Sequence, residues 1–277
     1  MAADSPSAKE TIGYHYNPGK NVFLISVEFK NKPGVLAAIT SSLSAAGVKT
    51  LSGFTAMSGS SDDATWGFFA DADPDLTVQK LKQMLGSTPG VTKSVVIQGN
   101  GGLVVDTIHF PLKLNSGETM ILMRKEIFSN MFKRLGEMFG SGGEAIVFEE
   151  GEASGESDAK RLVEIFGPEG ALQNVPDLSM LYLTLGWGRP ELVSLELAPF
   201  SATMRVYDSF ECSGQRSSKP TSQFIRGHMT ALINVIFGKR VKCTETKCRA
   251  LGDPYCEFVL SEGTWEKPHS VRTAPMR

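Results

Sequence analysis

Cys243, Glu245, Cys248 and Cys256 crowd into one C-terminal stretch, with the run Gly252-Asp253-Pro254 between the last two sulfurs. No other part of the chain restricts the fold as much. Residues 239–246 alternate as a strand, and side chains two apart on a strand share a face, so Cys243 and Glu245 point the same way. Residues 249–255 are turn-forming and 256–260 return as an adjacent strand, so the hairpin brings the Cys248 and Cys256 thiols together. Three chemistries follow from that placement. The sulfurs and the acid can hold a metal ion. Cys248 and Cys256 can bond reversibly if their Cα atoms come within about 4.4 to 6.8 Å. Otherwise the thiols are small buried hydrophobes of a strand pair.

The expected compartment bears on that choice. Residues 1–20 are polar and small, with no apolar run behind a basic start, which predicts a cytoplasmic protein. In such a reducing compartment the four cysteines of this 277-residue chain are free, metal-bound or redox-active rather than a disulfide framework.

Ahead of the hairpin, Met229, Leu232, Ile233, Ile236 and Phe237 make one apolar stripe of a helix that Thr221 or Ser222 caps and Gly238 ends. Phe128, Met131, Phe132, Leu135 and Met138 likewise read as the core side of a helix ended by Gly140. Residues 143–166 form another helix, in which Gly151 and Gly155 permit close backbone packing. Its acids Glu149, Glu150, Glu152, Glu156 and Asp158 read as a solvated face. Residues 178–185 are helical and lead into Gly186-Trp187-Gly188. Residues 192–197 and 202–210 then alternate as strands around Pro199.

The N-terminal part follows a different order. Phe23, Ile25, Val27 and Phe29 alternate along one strand face; Leu36, Ile39 and Leu43 recur at helical spacing until Gly47. Residues 48–57 and 65–70 pair as a hairpin around 58–63, Asp75 caps a second helix carrying Val78, Leu81 and Leu85, and 91–97 is a last strand. That is the split βαβ, ferredoxin-like order. Gly99, Gly101 and Gly102 mark a boundary. The expected organisation is a flexible tail at 1–19, a domain at 20–99, a second at 103–262 and a flexible tail at 263–277. With 41% apolar residues, each domain can bury a core of its own. The predicted fold class is α+β: a ferredoxin-like βαββαβ domain followed by an α+β domain whose antiparallel sheet packs on helices. A formal charge of −2 supplies no field toward nucleic acid. No apolar run approaches the roughly 20 residues that a bilayer demands. The expected partners therefore include neither directly bound nucleic acid nor a membrane.

Two resemblances add to this reading. Residues 20–99, with Asn31-Lys32-Pro33-Gly34-Val35-Leu36 between strand and helix, resemble the ACT domain, a regulatory module that binds amino acids at subunit interfaces. The resemblance implies Asn31 and Gly34 as ligand positions, with Gly34 letting a carboxylate approach backbone N–H groups at a helix start. It also implies a homodimer. Glu245-Thr246-Lys247-Cys248 with Gly252-Asp253-Pro254-Tyr255-Cys256-Glu257-Phe258 resembles the signature of the 4-vinyl-reductase-type domain. Asp208-Ser209-Phe210-Glu211-Cys212 and Gln223-Phe224-Ile225-Arg226-Gly227-His228 extend that match. The family implies binding of a small hydrophobic molecule, and several of its members hold a structural zinc. Glu245, Cys248 and Cys256 match the zinc positions, and the family's fourth ligand, a cysteine, falls at Ser222. Three ligands do not close a tetrahedral structural site, so Cys212 or Cys243 substitutes or the site is metal-free.

A pocket between helices and sheet is expected, with Tyr182, Trp187, Phe200, Phe210 and Phe224 as liners and His228 as a hydrogen-bonded structural histidine. No nucleophile constellation, phosphate loop or dinucleotide fingerprint is visible. The preferred expectation is thus a regulatory sensor of a small hydrophobic ligand rather than an enzyme, with amino-acid control or dimerisation through the N-terminal domain. Two alternatives come with the second resemblance: a reductase or accessory protein acting on tetrapyrrole vinyl groups, and an assembly or tethering module without a ligand.

Overall fold

The computed structural model describes residues 13–57, 62–114 and 117–263. The chain divides into two compact units, Met1–Ile121 and Leu122–Arg277, each with its own α+β architecture.

The first unit runs β1 (Tyr14–Tyr16), β2 (Asn21–Lys30), α1 (Val35–Ala45), β3 (Lys49–Met57), β4 (Asp63–Ala72), α2 (Val78–Ser87), β5 (Val91–Gln98) and β6 (Leu103–Val105). Its main sheet has the order β3-β4-β2-β5, antiparallel throughout, which is the ferredoxin-like arrangement. The alternation read from the sequence places Phe23, Ile25, Val27 and Phe29 against Ile39, Leu43, Leu81 and Leu85 of the two helices. The other face of the same strand is also covered: Val22, Leu24 and Phe69 pack with Val104. That cover comes from β1 and β6, which pair as Tyr14↔Val105 and Tyr16↔Leu103.

Several boundaries differ from the sequence expectation. Tyr14–Tyr16 is a strand, although 1–19 reads as a tail, and residues 1–12 lie outside the described residues. Leu103–Val105 completes the first unit instead of opening the second, so the division falls at 121/122 and not at the glycine cluster. The cause is tertiary: a three-residue strand carries too little pattern to be read locally, and only the apolar face it covers gives it a partner. Of the expected hairpin turn, residues 58–61 lie outside the described residues, as do 264–277 of the expected C-terminal tail, His269 among them. Thr77, not Asp75, caps α2, its side chain accepting from Lys80 N–H at 3.3 Å.

Past β6 the chain crosses the sheet and is pinned there. The Asp106 carboxylate accepts the N–H groups of Ile108 and His109 at 3.2 and 3.1 Å and lies 2.8 Å from His109 Nδ1. His109 Nε2 lies 3.0 Å from Ser26 Oγ on the central strand. Gly67 sits opposite Ser26, and a Cβ there would come within 2.6 Å of the imidazole, so the glycine leaves the ring its seat.

The second unit runs α3 (Lys125–Phe139), α4 (Ser141–Gln173), α5 (Val175–Ser179), α6 (Leu181–Thr184), β7 (Arg189–Leu197), β8 (Phe200–Tyr207), α7 (Gln223–Phe237), β9 (Val241–Lys247) and β10 (Cys256–Glu262). Its antiparallel sheet has the order β7-β8-β10-β9. α4 is longer than its pattern predicts and is interrupted at Gly167, with φ 72°, just before Pro168. α7 lies across α4 in very close contact. A Cβ on Gly151 would come within 2.2 Å of Phe224 O, and one on Gly155 within 2.2 Å of His228 O. The helical stripe of α7 is buried as predicted through Met229, Ile233 and Ile236. In α3 only Phe128, Phe132 and Leu135 of the expected core side are covered, whereas Met131 and Met138 are exposed. Among the described residues, no helix is long and apolar enough to cross a membrane.

Candidate metal centre and aromatic cluster

β9 and β10 form the hairpin expected from the sequence, joined through a 3-10 turn at Arg249–Leu251 and a left-handed Gly252 with φ 108°. Asp253 fixes this turn by accepting Cys248 N–H at 2.8 Å. The hairpin supplies Glu245, Cys248 and Cys256. The fourth group comes from elsewhere: after β8 the chain turns at Asp208, a non-glycine residue with φ 54°, and delivers Cys212. Arg249 forms an ion pair with Asp208, tying this turn to the hairpin.

Cys212, Glu245, Cys248 and Cys256 each offer a ligand atom, and these atoms lie within 4.8 Å of one another, all four residues buried. The Cys212 sulfur is 3.5 Å from that of Cys248 and 3.4 Å from that of Cys256. Sulfurs around tetrahedral zinc, with Zn–S near 2.3 Å, stand roughly 3.8 Å apart, so this donor set fits such an ion with little adjustment. Cys243 stays out of the group. It shares a face with Glu245, as the alternation predicts, but two residues along a strand displace it by nearly 7 Å, and its side chain joins the apolar core beside Val241 and Leu260. Of the two sequence candidates for the remaining ligand, the fold brings in Cys212.

Ser222 stands where a cysteine was expected, and it orients the site. Its Oγ donates to Glu245 Oε1 at 2.7 Å, and its N–H donates to Glu245 Oε2 at 3.0 Å. Neither Thr221 nor Ser222 therefore caps α7 with its side chain. Glu211 takes that role, its carboxylate accepting Phe224 N–H at 2.8 Å and Ile225 N–H at 3.1 Å. The only sequence trace of this cap is Glu211's place in the run before Cys212. Burial pushes Glu211 and Glu245 up to about 8, the hydrogen bonds each accepts from backbone N–H pulling the other way. Burial pushes Cys243 up to about 12. Within the cluster the thiols' mutual hydrogen bonds lower Cys248 while raising Cys212, to about 12, and Cys256. Acidic groups so confined ionise together only beside a cation.

The predicted pocket liners fall in two places. Tyr182, Trp187, Phe210 and Phe224 cluster with Phe128 and Phe132, and His228 meets Tyr182, Trp187 and Phe224 of this cluster. Ring centroids lie 5.2 Å apart for Tyr182 and Trp187, 5.3 Å for Trp187 and Phe224, and 4.9 Å for Trp187 and His228. Phe200 instead packs on Phe237, at 4.9 Å. Within the cluster runs a polar relay that the sequence did not reveal: Tyr182 Oη lies 2.8 Å from His228 Nδ1, and His228 Nε2 lies 3.0 Å from Asp158. Asp158 reaches this relay from the edge of the solvated face assigned to it, its side chain still half exposed. Burial raises the Tyr182 hydroxyl well above its ordinary value, keeping it a neutral donor.

In the first unit, Gly34 takes a left-handed φ of 88° at the start of α1, with open space where a side chain would project. The Asn31 amide donates to Met57 Sδ at 3.1 Å.

Comparison with known proteins fits the geometry of the second unit. Residues 202–262 match the family model of the 4-vinyl-reductase domain. That span holds Cys212, α7, both hairpin strands and the remaining three ligands. The chain is 32% identical over 106 residues to MJ1642 of Methanocaldococcus jannaschii, covering 36% of this chain and 63% of that protein. It is 32% identical over 113 residues to MJ0855 of the same organism, covering 38% and 47%. The chain thus spans between about half and just under two thirds of the curated relatives it matches. Among solved structures it is similar to the phenol-responsive sensory domain of the transcription activator PoxR, at 20% identity and a TM-score of 0.48, covering 54% of this chain and 80% of that one. It is also similar to a vinyl-4-reductase family protein of Methanocaldococcus jannaschii, at 17% identity and a TM-score of 0.38, covering 52% and 84%.

Proposed function

We propose that this chain is a ligand-responsive regulatory protein whose second unit, the one with the 4-vinyl-reductase domain, takes a small aromatic molecule beside the Tyr182–His228–Asp158 relay, with the four-ligand cluster holding a structural zinc. One observation carries this reading: a hydrogen-bonded tyrosine–histidine pair enclosed by aromatic rings. Such an enclosure recognises a flat apolar ring by stacking and edge contacts, and a hydroxyl on that ring by the relay. Trp187 is half-buried, as are Phe128, Phe132 and Phe224, but it alone of these sits between two glycines at positive φ, Gly186 and Gly188. Glycine adopts such angles without steric cost, so Trp187 is the ring whose displacement admits the ligand. Zinc would fasten the turn carrying Cys212 to the hairpin, and Glu211, the next residue, caps the helix that carries His228. One member each of metal site, cap and relay, Cys212, Glu211 and His228, therefore lies within residues 211–228. In the first unit, the open space above Gly34 supports control by an amino acid, and a homodimer through that unit is part of the same reading.

The test is thermal unfolding of the full chain against a panel of small aromatic alcohols and matching hydrocarbons. A ligand bound only by the native state stabilises by about 2.7 kcal/mol at one hundred times its Kd. At least one alcohol is expected to raise the Tm, and Tyr182→Phe to erase its advantage over the matching hydrocarbon, roughly tenfold in affinity for one hydrogen bond. No shift anywhere in the panel at millimolar concentration refutes the aromatic-ligand reading.

A further inference from the structure

We propose that Cys212 makes the metal cluster a peroxide-responsive switch, in which oxidation joins Cys212 to Cys248 or Cys256 and expels the ion. The proposal rests on the metal reading above and adds to it a reaction and an entry point. Glu245, Cys248 and Cys256 come from the hairpin, and Ser222 beside them is fully buried. Among the three ligand sulfurs Cys212 differs: Cys248 and Cys256 are fully buried, whereas Cys212, 4% exposed, lines a hollow open to solvent together with Gln215, Arg216, Arg249 and Asp253. A small neutral oxidant entering that hollow meets the Cys212 sulfur before any other.

The distances supply the second half of the reaction. Both remaining sulfurs lie 3.4 to 3.5 Å from Cys212, and a disulfide needs about 2.05 Å, so closure requires movement of roughly 1.4 Å. With the cation keeping it ionised, the Cys212 thiolate attacks one oxygen of a hydroperoxide; the O–O bond breaks, the distal oxygen leaves and takes a proton as water or an alcohol, and Cys212 becomes a sulfenic acid. The neighbouring thiolate then attacks the Cys212 sulfur, and hydroxide departs with a proton as water. Two thiolates, one hydrogen peroxide and two protons give one disulfide and two waters. The two sulfurs lose two electrons and the peroxide gains them. Glu245 and one thiol remain, too few donors to hold a structural ion. The order of reaction follows from chain placement, because in this chain a sulfur sits on the turn at Cys212 and an oxygen at Ser222.

The experiment uses the full chain with its zinc content measured. It is treated with a stoichiometric amount of hydrogen peroxide, zinc release is followed with a chromogenic chelator, and disulfides are mapped by peptide mass spectrometry. Expected is one zinc released per chain, in step with one disulfide containing Cys212, both reversed by a dithiol reductant and added zinc. The double variant Cys212→Ser, Ser222→Cys moves the fourth sulfur to the buried helix start. It is expected to hold one zinc and release it at least tenfold more slowly. Release at the parent rate from this variant, a disulfide joining Cys248 to Cys256 alone, or zinc retained in oxidised protein overturns the proposal. A chain that purifies without zinc but still forms the Cys212 disulfide refutes the metal reading and leaves the oxidation step standing.

Discussion

Gly155→Ala sets two effects of opposite sign against each other, and the crossing of α4 and α7 decides between them. In a helix interior alanine is favoured over glycine by about 1 kcal/mol, so the substitution stabilises wherever there is room. At Gly155 there is none: the new Cβ would stand 2.2 Å from His228 O and 2.9 Å from both its carbonyl carbon and its Cα. Ordinary carbon–oxygen contact is a full ångström longer, and the obstructing atoms are helix backbone, which cannot rotate away. The helices must separate, and overpacking of this kind costs about 1 to 3 kcal/mol or more. The net loss is then up to about 2 kcal/mol, which in a unit of this size lowers Tm by up to roughly 8 °C. Gly142→Ala is the control, because nothing lies within 4 Å of a Cβ there. It is expected to raise Tm slightly. Calorimetric unfolding of the full chain measures both. If Gly155→Ala matches or exceeds the control in stability, the close crossing of α4 and α7, and with it the fixed position of His228, is refuted.

Two further outcomes test separate parts of the structure. The chain purified without added metal is expected to carry one zinc, which Cys248→Ser abolishes and Cys243→Ala leaves in place, as elemental analysis would read; loss in both variants would put Cys243 in the coordination shell. His109→Ala breaks the link between Asp106 and Ser26 and leaves a buried hydroxyl unsatisfied, at about 1 to 3 kcal/mol. Hydrogen exchange at Val104 and Ile108 is expected to accelerate while α7 exchanges as before; unchanged exchange at 104–108 would show that the His109 contacts do not hold this segment.

How much of this was legible depends on how far apart the interacting residues lie. The βαββαβ order shows in the alternation of Phe23 through Phe29 and the helical spacing of Leu81 and Leu85. Gly151 and Gly155 pointed to a tight helix contact. The hairpin carrying Glu245, Cys248 and Cys256 follows from strand periodicity and the turn residues at 252–254. These are local signals: each depends on residues within a few positions of one another, where backbone geometry fixes which side chains share a face.

The tertiary structure decided the rest. Choosing Cys212 over Cys243 as the fourth group required knowing that the turn after β8 folds back onto the hairpin. Glu211 capping α7 across 13 residues, Tyr182 meeting His228 across 46 and Ser26 meeting His109 across 83 have no periodicity to betray them. Such pairs form only because burial in a low-dielectric interior makes an unmatched polar group costly, so each buried donor or acceptor settles on whatever partner the packing brings within reach. Chain pattern sets the elements and the faces they present, and packing selects which distant polar groups meet.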